Sequence, residues 1–149
     1  MILIVDVIAV NGDAVAWLQA KSIDYIAPQL YWRFGGNQDY ALLQPWWASV
    51  SNGRHFYPGL ATYRIGEAAY GGATMVASQI RFNRTTGNAQ GNIQYTANYI
   101  TSSNAGGITD TLKNDIYRYP ALLPVMSWKD SVVPYMPRGI RYEPVIAGG

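Results

Sequence analysis

Cysteine is absent from the 149-residue chain. That excludes disulfides, thiolate metal sites and a cysteine nucleophile, and it leaves the redox compartment open. His55 is the only histidine. One imidazole without a partner base or nucleophile makes no catalytic triad, and with so few donors no metal site is expected. Charge is scarce as well, at 13% of residues against roughly 25% in typical soluble domains. The net charge is +2, and Arg54, Arg64, Arg81, Arg84, Arg118, Arg138 and Arg141 are scattered along the chain. The basic stripe of a nucleic-acid binder is missing. No apolar run approaches the ~20 residues that cross a bilayer. Residues 1–10 are apolar but carry Asp6 and lack the basic flank and small-residue cleavage site of a signal peptide. Gly35-Gly36 and Gly71-Gly72 form neither a GxGxxG nor a phosphate loop, so no nucleotide or other cofactor is expected.

What is present is apolar and aromatic: 49% hydrophobic residues, with five tryptophans and twelve tyrosines. So much apolar surface on so few charges implies extensive burial, or a surface meant to be covered, and it argues against disorder. The length fits one domain. Residues 2–10 are dense in β-branched types and read as a strand. Asn11-Gly12-Asp13 is a turn, with Asp13 a plausible cap for a helix over 14–21. IDYIAPQLYW at 23–32 is a near-continuous apolar run, the mark of a strand buried on both faces. A helix follows over 39–50, with Pro45 expected to kink it or delay its start. FYPGLATY at 56–63 reads as a strand, 73–84 as a helix, NIQYTANYI at 92–100 as a strand, and 108–119 as a helix ending before Pro120.

This strand–helix alternation predicts an α/β protein with a parallel sheet. Four such units fit a small open sheet, or half of an eight-unit barrel of about 250 residues. From Pro120 onward, Pro124, Pro134, Pro137 and Pro144 mark an irregular tail.

Several motifs occur in a specific order. They are Trp17-Leu18, IDYIAPQLYW at 23–32, DY at 39–40, WW at 46–47, GRHFYPG at 53–59 and YRIG at 63–66. QIRFNR at 79–84, GN at 91–92 and GITDTLKNDIYRYPALLPVMSWKD at 107–130 complete the set. In this order and spacing they resemble the C-terminal half of glycosyl-hydrolase-like family 10 proteins, over roughly residues 13–130. The resemblance implies a partial (β/α)8 TIM barrel holding the last three to four βα units, with strands at 23–32, 56–63 and 92–100. It divides the chain into a leader strand at 1–12, the half-barrel at 13–119 and a Pro-rich exit tail at 120–149. It further implies a bacterial parent, exported to the periplasm or cell envelope or held as an outer-membrane lipoprotein, that acts on glycan strands. Peptidoglycan stripped of its peptides is a substrate class of the family. The family's best acidic candidates lie in the half that this chain does not match.

Glycoside hydrolysis commonly needs two carboxyl groups, about 5 Å apart for retention or 6.5–9.5 Å for inversion. In barrels these project from the C-terminal ends of strands. Asp24 precedes its strand. Asp13 and Asp39 sit at helix starts, Asp110 and Asp115 fall on the last helix, and Asp130 and Glu143 lie in the tail. Glu67, in the loop after Tyr63, is the one catalytic candidate, weighed against an ordinary solvated loop carboxylate. Strand ends supply sugar-binding types: Gln29, Tyr31 and Trp32; Tyr63 and Arg64; and Asn98, with Tyr95 and Tyr99 favoured as core. Aromatic rings stack on pyranose C–H faces, and amide and guanidinium groups read hydroxyl and acetamido oxygens. The competing reading of these aromatics is packing, which Trp46 and Trp47, on a helix, fit better. His55 precedes a strand and is expected at the stability face.

The expected partner is an oligosaccharide or glycan strand, with no nucleic acid. Self-association, or pairing with a missing N-terminal half-barrel, is expected through exposed strand edges. The chain is then part of a glycoside hydrolase that contributes substrate contacts. The alternatives are a non-catalytic glycan-binding module and a structural fragment without a ligand.

Overall fold

The computed structural model describes residues 12–86 and 88–130. The strand expected at 2–10, and the prolines and Glu143 of the tail beyond 130, lie outside them.

The first helix, α1 (Ala14–Gln19), starts where Asp13 accepts a hydrogen bond from the Ala16 amide at 2.9 Å. This satisfies one of the donors that a helix start leaves unpaired. The strand β1 (Tyr25–Ile26) follows. Helix α2 (Tyr40–Val50) is capped by Asp39, whose carboxylate takes both the Ala41 and the Gly35 amide. Pro45 neither delays nor ends this helix; it lies within it on an exposed position. The chain then runs through β2 (His55–Phe56) and β3 (Gly59–Ala61) into a tight 3-10 turn at Thr62–Arg64. Helix α3 (Gly72–Thr85) buries Val76, Ala77, Gln79, Ile80 and Asn83, the three-and-four spacing of one helical face.

Strand β4 (Ile93–Tyr95) is much shorter than the expected 92–100. The chain turns into helix α4 (Ala97–Thr101) immediately after it, so Asn98 and Tyr99 are helical. The final helix expected at 108–119 is present over 108–116: a 3-10 turn at Ala105–Gly107 leads into helix α5 (Ile108–Thr111), which runs on as a wide π-type turn at Leu112–Ile116. Gly106 and Gly107 have positive φ, a conformation open to glycine and costly for most side chains.

The strands pair as two two-stranded sheets, β1 with β2 and β3 with β4, and residues 55–61 run through both. Amides of His55, Tyr57 and Gly59 donate to carbonyls of Asp24, Ile26 and Pro28 on one side. Carbonyls of Phe56 and Pro58 accept from Gln90 and Ile93 on the other. Both pairings are parallel, β1 with β2 and β3 with β4, and a parallel bridge joins Gln29 to Gly59. Pro58 is tolerated here because only its carbonyl is needed. The expected strand at 23–32 therefore survives as one two-residue strand and one bridge. Nor is it buried on both faces, since Tyr25 is exposed.

Helices α2 and α3 cover one side of these strands. Phe56, Leu60, Leu30, Tyr40, Leu43, Val76, Ile80, Ile108, Leu112 and Ile116 form one buried cluster, with Trp47 packed against it. Phe34, Tyr40 and Phe82 meet edge to face at 5.4–6.2 Å, a geometry that aligns positive ring edges with negative faces.

The start of the tail folds back on the N-terminal ends of the strands. Trp128 packs against His55 at 4.9 Å and donates its indole N–H to Asp24 at 2.8 Å. Lys129 pairs with Asp24 at 2.8 Å, and the Arg54 guanidinium lies 4.7 Å from the Trp128 ring. Buried His55 bridges the Tyr57 hydroxyl and the Val125 carbonyl. His55 lies at the N-terminal end of β2.

The hydrogen bonds from Lys129 and then Trp128 hold the Asp24 carboxyl below its ordinary value of 3.8. A depressed carboxyl stabilises the fold above its unfolded pKa and loses that contribution as pH falls through the folded one. The environment of Trp128 should therefore stay native at pH 4 and change only below 3.8, as read by tryptophan fluorescence. Asp24→Asn should remove the Lys129 ion pair and the acid transition together.

Candidate functional site

The C-terminal ends of the paired segments, at the Gln29 bridge, β3 and β4, bring residues from distant parts of the sequence together. Tyr31 follows the Gln29 bridge, Tyr63 follows β3, and Tyr95 ends β4. Their rings touch pairwise with centroids 5.8–5.9 Å apart, Tyr31 stacked on Tyr95 and Tyr63 edge-on to both. Burial, then the neighbouring Tyr63 and Tyr95, push the Tyr31 phenol above its ordinary value. Tyr63 and Tyr95 remain 36% and 52% exposed, so the cluster has an open face. Tyr95, expected in the core, is part of this surface.

Gly59 makes that approach possible. A Cβ there would lie 3.1 Å from the Pro28 carbonyl and 3.3 Å from the Tyr31 ring.

Beside the tyrosines lies an open cleft of about 300 Å³, lined by Trp32, Arg33, Gly35, Gly36, Asn37, Gln38, Arg64, Ala69 and Tyr70. Its walls are pinned from behind. Fully buried Gln79 donates to the Trp32 carbonyl at 2.7 Å and accepts from the Tyr70 hydroxyl at 3.2 Å. Burial pushes the Tyr70 phenol up to about 12. The Arg64 guanidinium donates to the Tyr31 carbonyl at 2.8 Å, pairs with Glu67 at 2.8 Å and lies 5.1 Å from the Tyr70 ring. Arg64 thus ties the cleft to the tyrosine cluster.

Of the residues expected from sequence, Trp32 and Arg64 line the cleft, and Tyr31 and Tyr63 form the adjoining cluster. Gln29 is exposed at the strand bridge. Asn98 is on exposed helix α4 and does not line the cleft. Glu67 is exposed and engaged by Arg64. No aspartate or glutamate lines the cleft, and no group of three or more histidines or acids able to hold a metal occurs among the described residues. Sequence reasoning missed Arg33, Tyr70 and the role of Gln79. QIRFNR stood out in the resemblance, yet no spacing rule shows that its glutamine reaches Trp32, 47 positions away. Arg81 of the same motif pairs with Asp115.

The arrangement offers ring faces, a fixed guanidinium, a second arginine and two side-chain amides around an open depression. Such a surface suits a hydroxyl-rich ligand with apolar C–H faces. Comparison with known proteins agrees in class: the chain is homologous to proteins named glycosyl hydrolase. It is 35% identical over 133 residues to glycosyl hydrolase YngK of Bacillus subtilis (strain 168), covering 85% of this chain and 26% of that protein. It is 30% identical over 100 residues to glycosyl hydrolase DigH of Escherichia coli (strain K12), covering 60% of this chain and 23% of that protein. The chain thus spans about a quarter of the length of these curated relatives. No family model matches it.

Gln79→Ala should destabilise the fold by about 2–4 kcal/mol, because it leaves the Trp32 carbonyl unpaired, takes one of two partners from the Tyr70 hydroxyl and opens a cavity. Tyr70→Phe, which keeps the ring and gives up the hydroxyl's bonds to Gln79 and the Ala61 backbone, should cost about 1–2 kcal/mol. Urea unfolding of the two variants checks this ordering.

Proposed function

We propose that this chain is part of a glycoside hydrolase built on a (β/α)8 barrel, and that it supplies substrate contacts and not the catalytic carboxylates. The observation that carries the reading is the convergence of Tyr31, Tyr63 and Tyr95 with the Trp32–Arg64 cleft at the C-terminal ends of three parallel strands. Active sites of βα folds lie at that end. The names of the relatives support a glycan as the ligand, and the peptidoglycan-type glycan suggested by the sequence resemblance is the first candidate. Export of the parent follows from the same resemblance.

The division of labour rests on charge. A mechanism with two carboxyl groups needs a second acid within about 5–9.5 Å of the first, and no acid lines the cleft. In this reading the acids come from parts of the longer relatives that this chain does not match. The outer edges of β1 and β4 have no strand partner among the described residues. Unpaired edges are templates for further strands, supplied by the remainder of a barrel or by a second copy of this chain. The lack of cleft acids equally favours a non-catalytic glycan-binding module, which differs only in what completes it.

Titration of the chain with N-acetylglucosamine oligomers and peptide-free peptidoglycan fragments tests the site. Trp32→Ala and Tyr63→Ala should each weaken binding about tenfold, which is about 1.4 kcal/mol. Glu67→Gln should change it little. Unchanged affinity in both aromatic variants rejects this site. Turnover by the chain alone, abolished in Glu67→Gln, rejects the assignment of the acids to another segment.

A further inference from the structure

Resting on the glycan reading above, we infer that Arg33 makes the cleft selective for sugars bearing a carboxylate. Every other arginine among the described residues is already engaged. Arg54 lies against Trp128 and donates to the Lys21 carbonyl. Arg64 holds Glu67 and the Tyr31 carbonyl. Arg81 pairs with Asp115. Arg84 reaches the Ile116 carbonyl and the Tyr117 ring, and Arg118 lies against Tyr119. Arg33 lines the cleft, is exposed, and has no ion pair, side-chain hydrogen bond or ring partner among the described residues.

The charge balance of the cleft follows directly. Glu67 offsets Arg64, the Asp39 carboxylate is engaged by the Gly35 and Ala41 amides, and no acid lines the wall, so Arg33 is the charge on the wall without an ion-pair partner. Its position is also fixed. The carbonyl of Trp32 is held by Gln79, that of Arg33 accepts the Tyr40 amide at 3.2 Å, and the Gly35 amide is tied to Asp39 at 2.9 Å. Only the side chain is left free to meet a ligand. Beside it the cleft is lined by Trp32, which also packs against the core, and by Asn37 and Gln38, whose amide groups suit hydroxyl or acetamido groups. A guanidinium presents a planar fork that matches a carboxylate bidentately. A neutral sugar would leave that fork to water.

A sugar carboxylate comes either from a uronic acid or from an acid side chain ether-linked to the ring, as in N-acetylmuramic acid. Calorimetric titration of the 149-residue chain with three oligomers of equal length separates the cases. They are oligogalacturonate, an alternating N-acetylglucosamine–N-acetylmuramic acid oligomer, and neutral N-acetylglucosamine. At least one acidic oligomer should bind about tenfold tighter than the neutral one at low salt, with the margin shrinking as salt rises. The acidic oligomer that gains identifies the source of the carboxylate. Arg33→Gln should erase the margin, and Arg33→Lys should keep part of it. Equal affinity for acidic and neutral oligomers, or a margin that survives Arg33→Gln, overturns the inference and leaves the glycan site standing. Failure of all three oligomers to bind overturns both.

Discussion

The geometry of this protein depends on one seven-residue stretch, 55–61, that spends its backbone in both directions. Odd positions donate toward 24–28 and even positions accept from 90–93. A buried amide or carbonyl without a partner is costly, so once this stretch is buried its two neighbours must come alongside in fixed register. Full burial of Phe56, Leu60 and Ala61 supplies the reason for the stretch to be inside. Both effects set where Tyr31, Tyr63 and Tyr95 end up, because each lies at the end of a line of chain already aligned by these bonds.

The two ends of the strands differ in chemistry. At the N-terminal end, charge is satisfied internally: Asp24 is shared by Lys129 and Trp128, and Arg54 is covered by Trp128. At the C-terminal end, rings are half open and one guanidinium is left over. A protein with so few charges that leaves one facing a cleft marks that cleft as the place where outside matter is met.

Much of this organisation was legible in the sequence for physical reasons. Asp13 and Asp39 cap helices because a short acceptor before an apolar run has few other uses. The parallel alternation followed from strand and helix periodicities. Aromatic strand ends were visible as residue types. Limits appeared where long-range contacts override local preference. NIQYTANYI has strand composition throughout, yet the chain leaves the sheet at Tyr95 and turns helical at Ala97, which moves Asn98 away from the cleft. Arg33 could not be singled out, because an unpaired charge is defined by where all the other charges go. Gln79 and Tyr70 act through bonds to residues far along the chain or in a loop of undefined shape.

The tyrosine cluster joins the ends of three strands that come from separate thirds of the described chain. A saccharide lying across Tyr63 and Tyr95 would touch more than one strand at once and act as a splint. Its binding energy would then add to the cohesion of the sheet, and occupancy would be felt as resistance to unfolding at residues it never contacts.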